Sequence, residues 1–418
     1  MSRLILPIFA LIAGSAFLMI AGGLNGLILP LRGSIEGFSS FSLGLLGTGW
    51  AIGYISGCLW SPRLVRRAGH IRSFAVMAAI AVVSVLLSLL LIHPGAWIPL
   101  RALAGFAFAG SAMIVESWLN ERTDKSFRGR VFGLYTMVNL LATTAGQMMI
   151  TLGDTGGYVF FVLAALFYVL SLIPTALTKT DQPRPLVKTN LDLRALMRNS
   201  PIAVVGVFLV GVSNSTFGTL GVVFGGKVGL DINSIALMMS LSLLAGSLFQ
   251  VPVGMLSDRI DRRLVLIGLA TLAALVDVSF LILHPDQPLL VLAASCLFGA
   301  AIYSMYPVII AHAYDHAEPG NYLKISGGLL LVFGIGAIVG PILGGVLMEW
   351  NPTGLFAATL IAHLTLIAYG SYRITQRTAV SEADKTDFVG MPTARLATPE
   401  STVFDPRADV DEPELFER

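Results

Sequence analysis

Charge is what this sequence has least of. Lys, Arg, Asp and Glu make up 12% of its 418 residues, against 55% hydrophobic. A water-soluble domain of that length needs far more charge to cover its surface, so water is excluded as the main solvent. Cysteine is almost absent too. Cys58 and Cys296 both fall in apolar stretches and read as small packing residues rather than a disulfide or a metal pair. The chain lacks a phosphate-cradling Gly-Lys-Ser loop, a metal-ligand set, and a nucleophile with a base at recognisable spacing. ATP hydrolysis and enzymatic turnover therefore have no basis here, and no cofactor, metal or nucleic-acid partner is expected.

Polar interruptions are the next scarcity, and they divide the apolar residues into twelve runs. The runs cover 4–29, 40–60, 73–92, 97–118, 131–152, 157–177, 201–222, 233–255, 264–283, 289–311, 323–347 and 354–372. Each is close to the roughly 20 residues that cross a bilayer core as helix. Stretches such as 75–92 are apolar all round, which excludes the alternating strands of a membrane barrel. The first run is too long for a signal peptide, and its Gly22–Gly26 and Pro30 make no convincing cleavage site.

The basic residues, though few, are placed one-sidedly. Of the 27 Lys and Arg, only Arg101 and, at the very start of the run 323–347, Lys324 sit inside a run, and only Arg32 and Lys227 follow odd-numbered ones. The positive-inside rule then predicts that both termini are cytoplasmic. Residues 178–200 form the longest polar break and read as a cytoplasmic linker, in which Leu191, Leu193, Leu196 and Met197 suggest a short amphipathic helix. Residues 373–418 are polar and proline-dotted and read as a disordered tail.

The two halves, 1–177 and 201–372, resemble each other. Gly22–Gly26 aligns with Gly211–Ser215 at an offset of 189, the loop at Arg66 with that at Asp258 at 192, and Gly105 and Gly146 with Gly299 and Gly340 at 194. A slowly drifting offset is what two related halves with small insertions produce.

Residues Gly254-Met255-Leu256-Ser257-Asp258-Arg259-Ile260-Asp261-Arg262-Arg263 carry a more specific signal. They resemble the loop signature of the major facilitator superfamily, with Asp261 in place of its second glycine. In the first-half copy Arg66 stands where the aspartate would be. Arg101 and Gly105 resemble an element of proton-linked members. Gly336–Gly345 resembles a glycine/proline run of drug antiporters, here in the other half. The stretch from Val115 to Leu119, Arg128-Gly129-Arg130, Tyr135 and Gly146-Gln147 is similar to a poorly characterised bacterial branch.

The resemblance implies an all-α membrane protein of twelve transmembrane helices in two pseudo-symmetric six-helix bundles, multi-pass in a bacterial inner membrane. It also implies that helices one, four, seven and ten line a central cavity, which selects Asn25, Arg101, Asn214, Tyr303 and Tyr306. Glu116 shares a helix face with Arg101 and stands near Arg122, Arg128 and Arg130 in the chain. A latch, a protonation site and a solvated helix end are all open to it. Tyr135, Asn139, Thr143 and Gln147 recur every four residues as one polar stripe, of which Asn139 and Gln147 are pathway candidates. Asp258, Arg259 and Arg262, with Arg130, are candidates for a cytoplasmic gate. Asp277 has no obvious role. His312, Asp315 and His316 read as solvated, and His363 as packed.

The expected function is secondary transport of a small solute by alternating access, coupled to protons, with an anionic or neutral metabolite as cargo. Efflux of toxic compounds is the alternative. A non-transporting membrane sensor or scaffold with the tail as its output is a further one.

Overall fold

Apolar runs of this length can satisfy their backbone only by intrasegment hydrogen bonds, and helix accordingly dominates the computed structural model. It describes residues 2–123, 127–177, 186, 192–285, 287–318, 321–391 and 394–403. The long helices are α1 (Ser2–Ile35), α2 (Ser40–Ala68), α3 (His70–Leu90), α4 (Pro94–Arg122) and α5 (Arg128–Met148). The short α6 (Val159–Leu170), α7 (Leu172–Leu177) and α8 (Leu193–Asn199) follow. Then come α9 (Pro201–Lys227), α10 (Ile232–Arg259), α11 (Arg262–Leu283), α12 (Pro288–Tyr314), α13 (Tyr322–Met348) and α14 (Gly354–Gln376), with α15 (Pro399–Val403) in the tail.

Among the described residues ten helices are long and apolar enough to cross a membrane: α1–α4 and α9–α14. Two of the twelve expected spans fall short of that standard. The run at 131–152 becomes α5, whose polar stripe lowers its hydropathy, and a 3-10 turn at Met149–Leu152. The run at 157–177 is divided into α6 and α7 at Ser171, whose hydroxyl donates back to the Tyr168 carbonyl at 2.7 Å. Outward faces of the long helices are apolar, as with Leu248 and Leu275 at 73% and 64% exposure, a surface suited to lipid. The chain is a multi-pass membrane protein.

Two compact units emerge. The first comprises Met1–Gly37, Gly49–Thr189 and Thr398–Arg418, and the second Phe38–Thr48 and Asn190–Ala397. The start of α2 therefore belongs with the second unit, and the end of the tail with the first. In the first unit α1 packs on α5 and α6, and α3 on α4. In the second, α9 packs on α13, α10 on α12, and α11 on α14.

The internal repeat reappears as packing. A Cβ at Gly105 would run into the Trp50 carbonyl, and one at Gly299 into the Ser242 carbonyl. Likewise Gly146 abuts the Ile20 carbonyl, and Gly340 that of Val212. Each glycine lets two helix backbones approach at an equivalent crossing of its own unit. The Gly336–Gly345 run is used in the same way: Gly340 serves α9, and Pro341 lies against Gly44 of α2.

The expected linker helix is present as α8, with Asp192 as its cap (Ala195 N–H to Asp192 Oδ1, 2.9 Å). Leu196 alone of its large apolar residues is buried, against Gly328, while Leu193 and Met197 are exposed. Leu191 and most of the linker lie outside the described residues.

Candidate functional site

In the first unit the polar groups expected on α1, α4 and α5 are buried. Asn25 is 2% exposed; its side chain bonds the Tyr168 hydroxyl of α6, and Arg101 brings its charge to the same hydroxyl. Arg101 itself is 6% exposed and turned inward, not spread toward headgroups. The Asn25 Oδ1 has no hydrogen-bond partner among the described residues.

Further along α4, Glu116 accepts from two hydroxyls: Tyr135 at 3.0 Å and, more closely, Thr398 of the tail. Arg130, expected within reach of it, instead lies exposed with its guanidinium 5.8 Å above the Phe127 ring. The α5 stripe turns toward α1, where Ser15 donates to Asn139 Oδ1 at 2.8 Å. Tyr135, Asn139 and Thr143 are buried, and Gln147 is half-buried.

In the second unit Asn214 is 1% exposed, and its Oδ1 too is unpartnered among the described residues. Tyr306 packs edge-on against Phe333 at 5.7 Å, with its hydroxyl likewise unsatisfied. Tyr303 is buried near Arg395 of the tail, whose guanidinium donates to Thr219 Oγ1 at 3.3 Å.

At the Asp258 end of this unit the signature loop forms an ionic cluster. Arg262 is bonded to Asp258 at 3.1 Å and to Asp315 at 2.7 Å, and both Arg262 and Asp315 are buried. Asp315 is thus an ion-pair partner and not a solvated helix end. His316 is half-buried, and its Nδ1 lies 2.9 Å from the His312 carbonyl. Burial moves the His316 imidazole below its usual value, so it is neutral at neutral pH.

Arg259 stays exposed, outside this cluster. Asp261, the departure from the signature glycine, caps α11 by accepting from the Arg263 N–H at 2.9 Å, and pairs with the Arg263 guanidinium at 2.7 Å. Burial opposes its ionisation, but the Arg263 bonds outweigh burial and hold this carboxyl below the usual range. The first-half counterpart, Gly69, adopts φ +81, and Arg66 and Arg67 are exposed there. One unit thus keeps a glycine turn where the other has a carboxylate cap.

This signature and the repeated halves have one family context. The chain matches the Major Facilitator Superfamily over residues 11–235 and 202–404. It belongs to the major facilitator superfamily.

Relatives within that transporter superfamily include the uncharacterized MFS-type transporter YcaD of Shigella flexneri and of Escherichia coli O139:H28. Both are 26% identical over 352 residues, or 84% of this chain and 91% of theirs. Among solved structures the fold is similar to the nucleoside transporter NupG, with TM-score 0.72, 13% identity, and coverage of 90% of this chain and 100% of that one. It is also similar to a D-xylose–proton symporter, with TM-score 0.65, 14% identity, and coverage of 92% and 99%.

The superfamily member described here has two features that its sequence did not announce. In the tail expected to be disordered, several of the described residues up to Val403 are held by specific contacts. In the second unit Lys385 Nζ donates to the Ser257, Asp258 and Ile260 carbonyls that end α10, at 3.3, 3.1 and 2.6 Å. Thr386 donates twice to Asp315 at 2.9 Å, and its carbonyl accepts from Arg262. Phe388 lies on Gly254, and the Met391 N–H donates to Gln250 at 3.1 Å. In the first unit Thr398, Glu400, Ser401 and Thr402 are buried, with α15 against α4.

The second feature is the pairing of Asp277 on α11 with His363 on α14, which gives the unplaced aspartate a partner. No local pattern reveals a contact between residues 86 positions apart.

Proposed function

We propose that this chain is a secondary transporter that carries a small anionic or neutral solute by alternating access of its two units, driven by a proton gradient. On this reading the chain crosses the membrane twelve times, counting α5 and the broken α6–α7, with both termini cytoplasmic. The supporting observation is the matched pair Asn25 and Asn214. Both are almost fully buried, both have an Oδ1 without a partner among the described residues, and they occupy equivalent places on α1 and α9.

A buried polar atom left unpaired costs about 1–3 kcal/mol, and a solute that hydrogen-bonds such an amide would recover that cost. Arg101 beside Asn25 supplies positive charge for an anionic or hydrogen-bond-accepting group. Tyr303 and Tyr306 supply aromatic walls in the second unit. Asn139, Gln147 and Glu116 extend the polar path through the first. The Asp258–Arg262–Asp315 cluster serves as the cytoplasmic gate, with Arg259 and Arg130 left at the surface. The likeness to a nucleoside transporter and to a D-xylose–proton symporter supports a small polar cargo and the proton as coupling ion.

Thermal-shift screening of the purified protein against a metabolite collection tests this reading. A true ligand raises the melting temperature of the wild type by several degrees and does so much less for Arg101→Ala and Asn25→Ala. A ligand that stabilises the wild type and both variants equally sinks the proposed site.

The packed tail favours one second reading, a membrane sensor whose output is release of the segment held at Glu116 and Asp315. A sensor would lose its function with the tail, whereas a transporter without the tail would still carry its solute, and faster.

A further inference from the structure

The Asp277–His363 pair is the centre of a longer chain of contacts. Asp277 Oδ1 accepts from Thr359 Oγ1 at 2.6 Å, Asp277 Oδ2 meets His363 Nδ1 at 2.6 Å, and His363 Nε2 meets Ser213 Oγ at 2.9 Å. Asp277, Thr359 and Ser213 are 0% exposed, and His363 is 1% exposed. The chain thus runs from α11 through α14 to α9, within the second unit.

An ionisable carboxyl in a membrane interior is costly unless it is paired or neutralised. Had the three helices needed only a polar clamp, two amides or hydroxyls would have served without that cost. Here both central groups can take up or lose a proton, and at 2.6 Å they titrate as one unit. The titratable group that contacts Asp277 is His363. Toward the pair α9 presents the Ser213 hydroxyl, and α12 the Phe298 ring, 5.8 Å from the His363 ring. The ionisable groups of α13, Tyr322 and Lys324, lie in its first three residues, and those of α10, Asp258 and Arg259, are its last two. On α12 the titratable groups are Cys296, Tyr303, Tyr306, His312 and Tyr314, and on α9 only Lys227 at its end.

The last hydroxyl of the chain leads toward the proposed solute site. Ser213 adjoins Asn214, the residue with the unpartnered Oδ1. Neighbouring helix residues point about 100° apart, so one side of α9 contacts His363 while the next presents Asn214.

We infer that Asp277, His363 and Ser213 form a proton-binding site of the second unit, in which one proton is held by the carboxylate–imidazole pair. With ionised Asp277 and neutral His363 the pair carries one negative charge; uptake of one proton from hydronium neutralises it and leaves water. In discharge, His363 gives up the Nε2 proton to Ser213 Oγ as the serine hydroxyl passes its own hydrogen to water, so hydronium is regenerated. The site draws its purpose from the transport reading above, since it is where a coupling proton would wait.

The test is a pH titration of the purified full-length protein in lipid nanodiscs, with the proton as the only ligand. Infrared difference spectra and ¹⁵N-histidine NMR are recorded from about pH 4 to 9, the range that spans ordinary carboxyl and imidazole titration. A carboxyl band and an imidazole signal that titrate together, vanish in Asp277→Asn and His363→Gln, and shift in Ser213→Ala support the proposal. An imidazole signal of His363 that stays constant across the range overturns it, and this readout needs only the wild type should the variants not fold. Identical titrations in wild type and Asp277→Asn overturn it too. A titrating pair in a protein whose flux ignores the pH gradient would sustain the proton site and refute the coupling part of the transport reading.

Discussion

Arg262 ties together several parts of the second unit. Its guanidinium bonds Asp258, Asp315, the Ser257 hydroxyl at 3.2 Å and the Thr386 carbonyl, so two carboxylates and a tail segment depend on one side chain. Truncation would leave Asp315 buried and uncompensated, which is the costly way to break an ion pair. Arg262→Ala is expected to destabilise the protein by about 3–5 kcal/mol, measured by thermal unfolding in detergent. Arg259→Ala, a change at an exposed neighbour, should move the midpoint little. Equal losses in the two variants would place the latch elsewhere in the motif.

At the level of the element, the fold is built on glycine-mediated helix crossings that recur at equivalent places in each unit. Gly105→Ala and Gly299→Ala each force a methyl group against a backbone carbonyl, of Trp50 and Ser242, that cannot swing aside. Both should lower stability by about 1–3 kcal/mol through overpacking. Gly133 on α5 has nothing within 4 Å of the position a Cβ would take, and Gly133→Ala should instead be neutral or slightly stabilising through helix propensity. Melting curves of the three variants decide it; a loss for Gly133→Ala as large as for the others would mean that propensity and not packing governs.

These crossings also show what sequence could convey. Hydropathy runs and drifting offsets disclose helices and repeats, because each depends on residues close in the chain or copied at a fixed interval. Asp277 with His363, and Glu116 with Thr398, depend on helices meeting, and no spacing rule reports that. The described part of the tail misled for a related reason. Segments of low apolar content read as unable to fold, yet Thr398 and Thr386 are held by hydrogen bonds to buried carboxylates, an anchoring that composition does not register.

For the whole molecule, the tail is the feature whose removal tests the transport reading. Lys385, Thr386 and Met391 are bonded within the second unit and Thr398–Thr402 are buried within the first, and on the alternating-access reading these contacts are expected to slow transport. A chain ending at Thr378 keeps α14 and the Arg377 carbonyl that Arg263 caps at 2.8 Å. It is expected to transport several-fold faster than the full-length protein in liposome flux assays. Unchanged flux would mean that the tail detaches without consequence, and loss of all function would favour the sensor reading.

A segment bound in this way is an intramolecular ligand, and its strength is one of local concentration as much as of contacts. A short flexible tether holds such a ligand at an effective concentration on the order of millimolar. Each hydroxyl–carboxylate bond can therefore be weak while occupancy stays high, and release needs only modest help from a competing solute or a change in charge. The same residues supplied as a free peptide to the shortened protein would have to reach millimolar levels before they slowed it again.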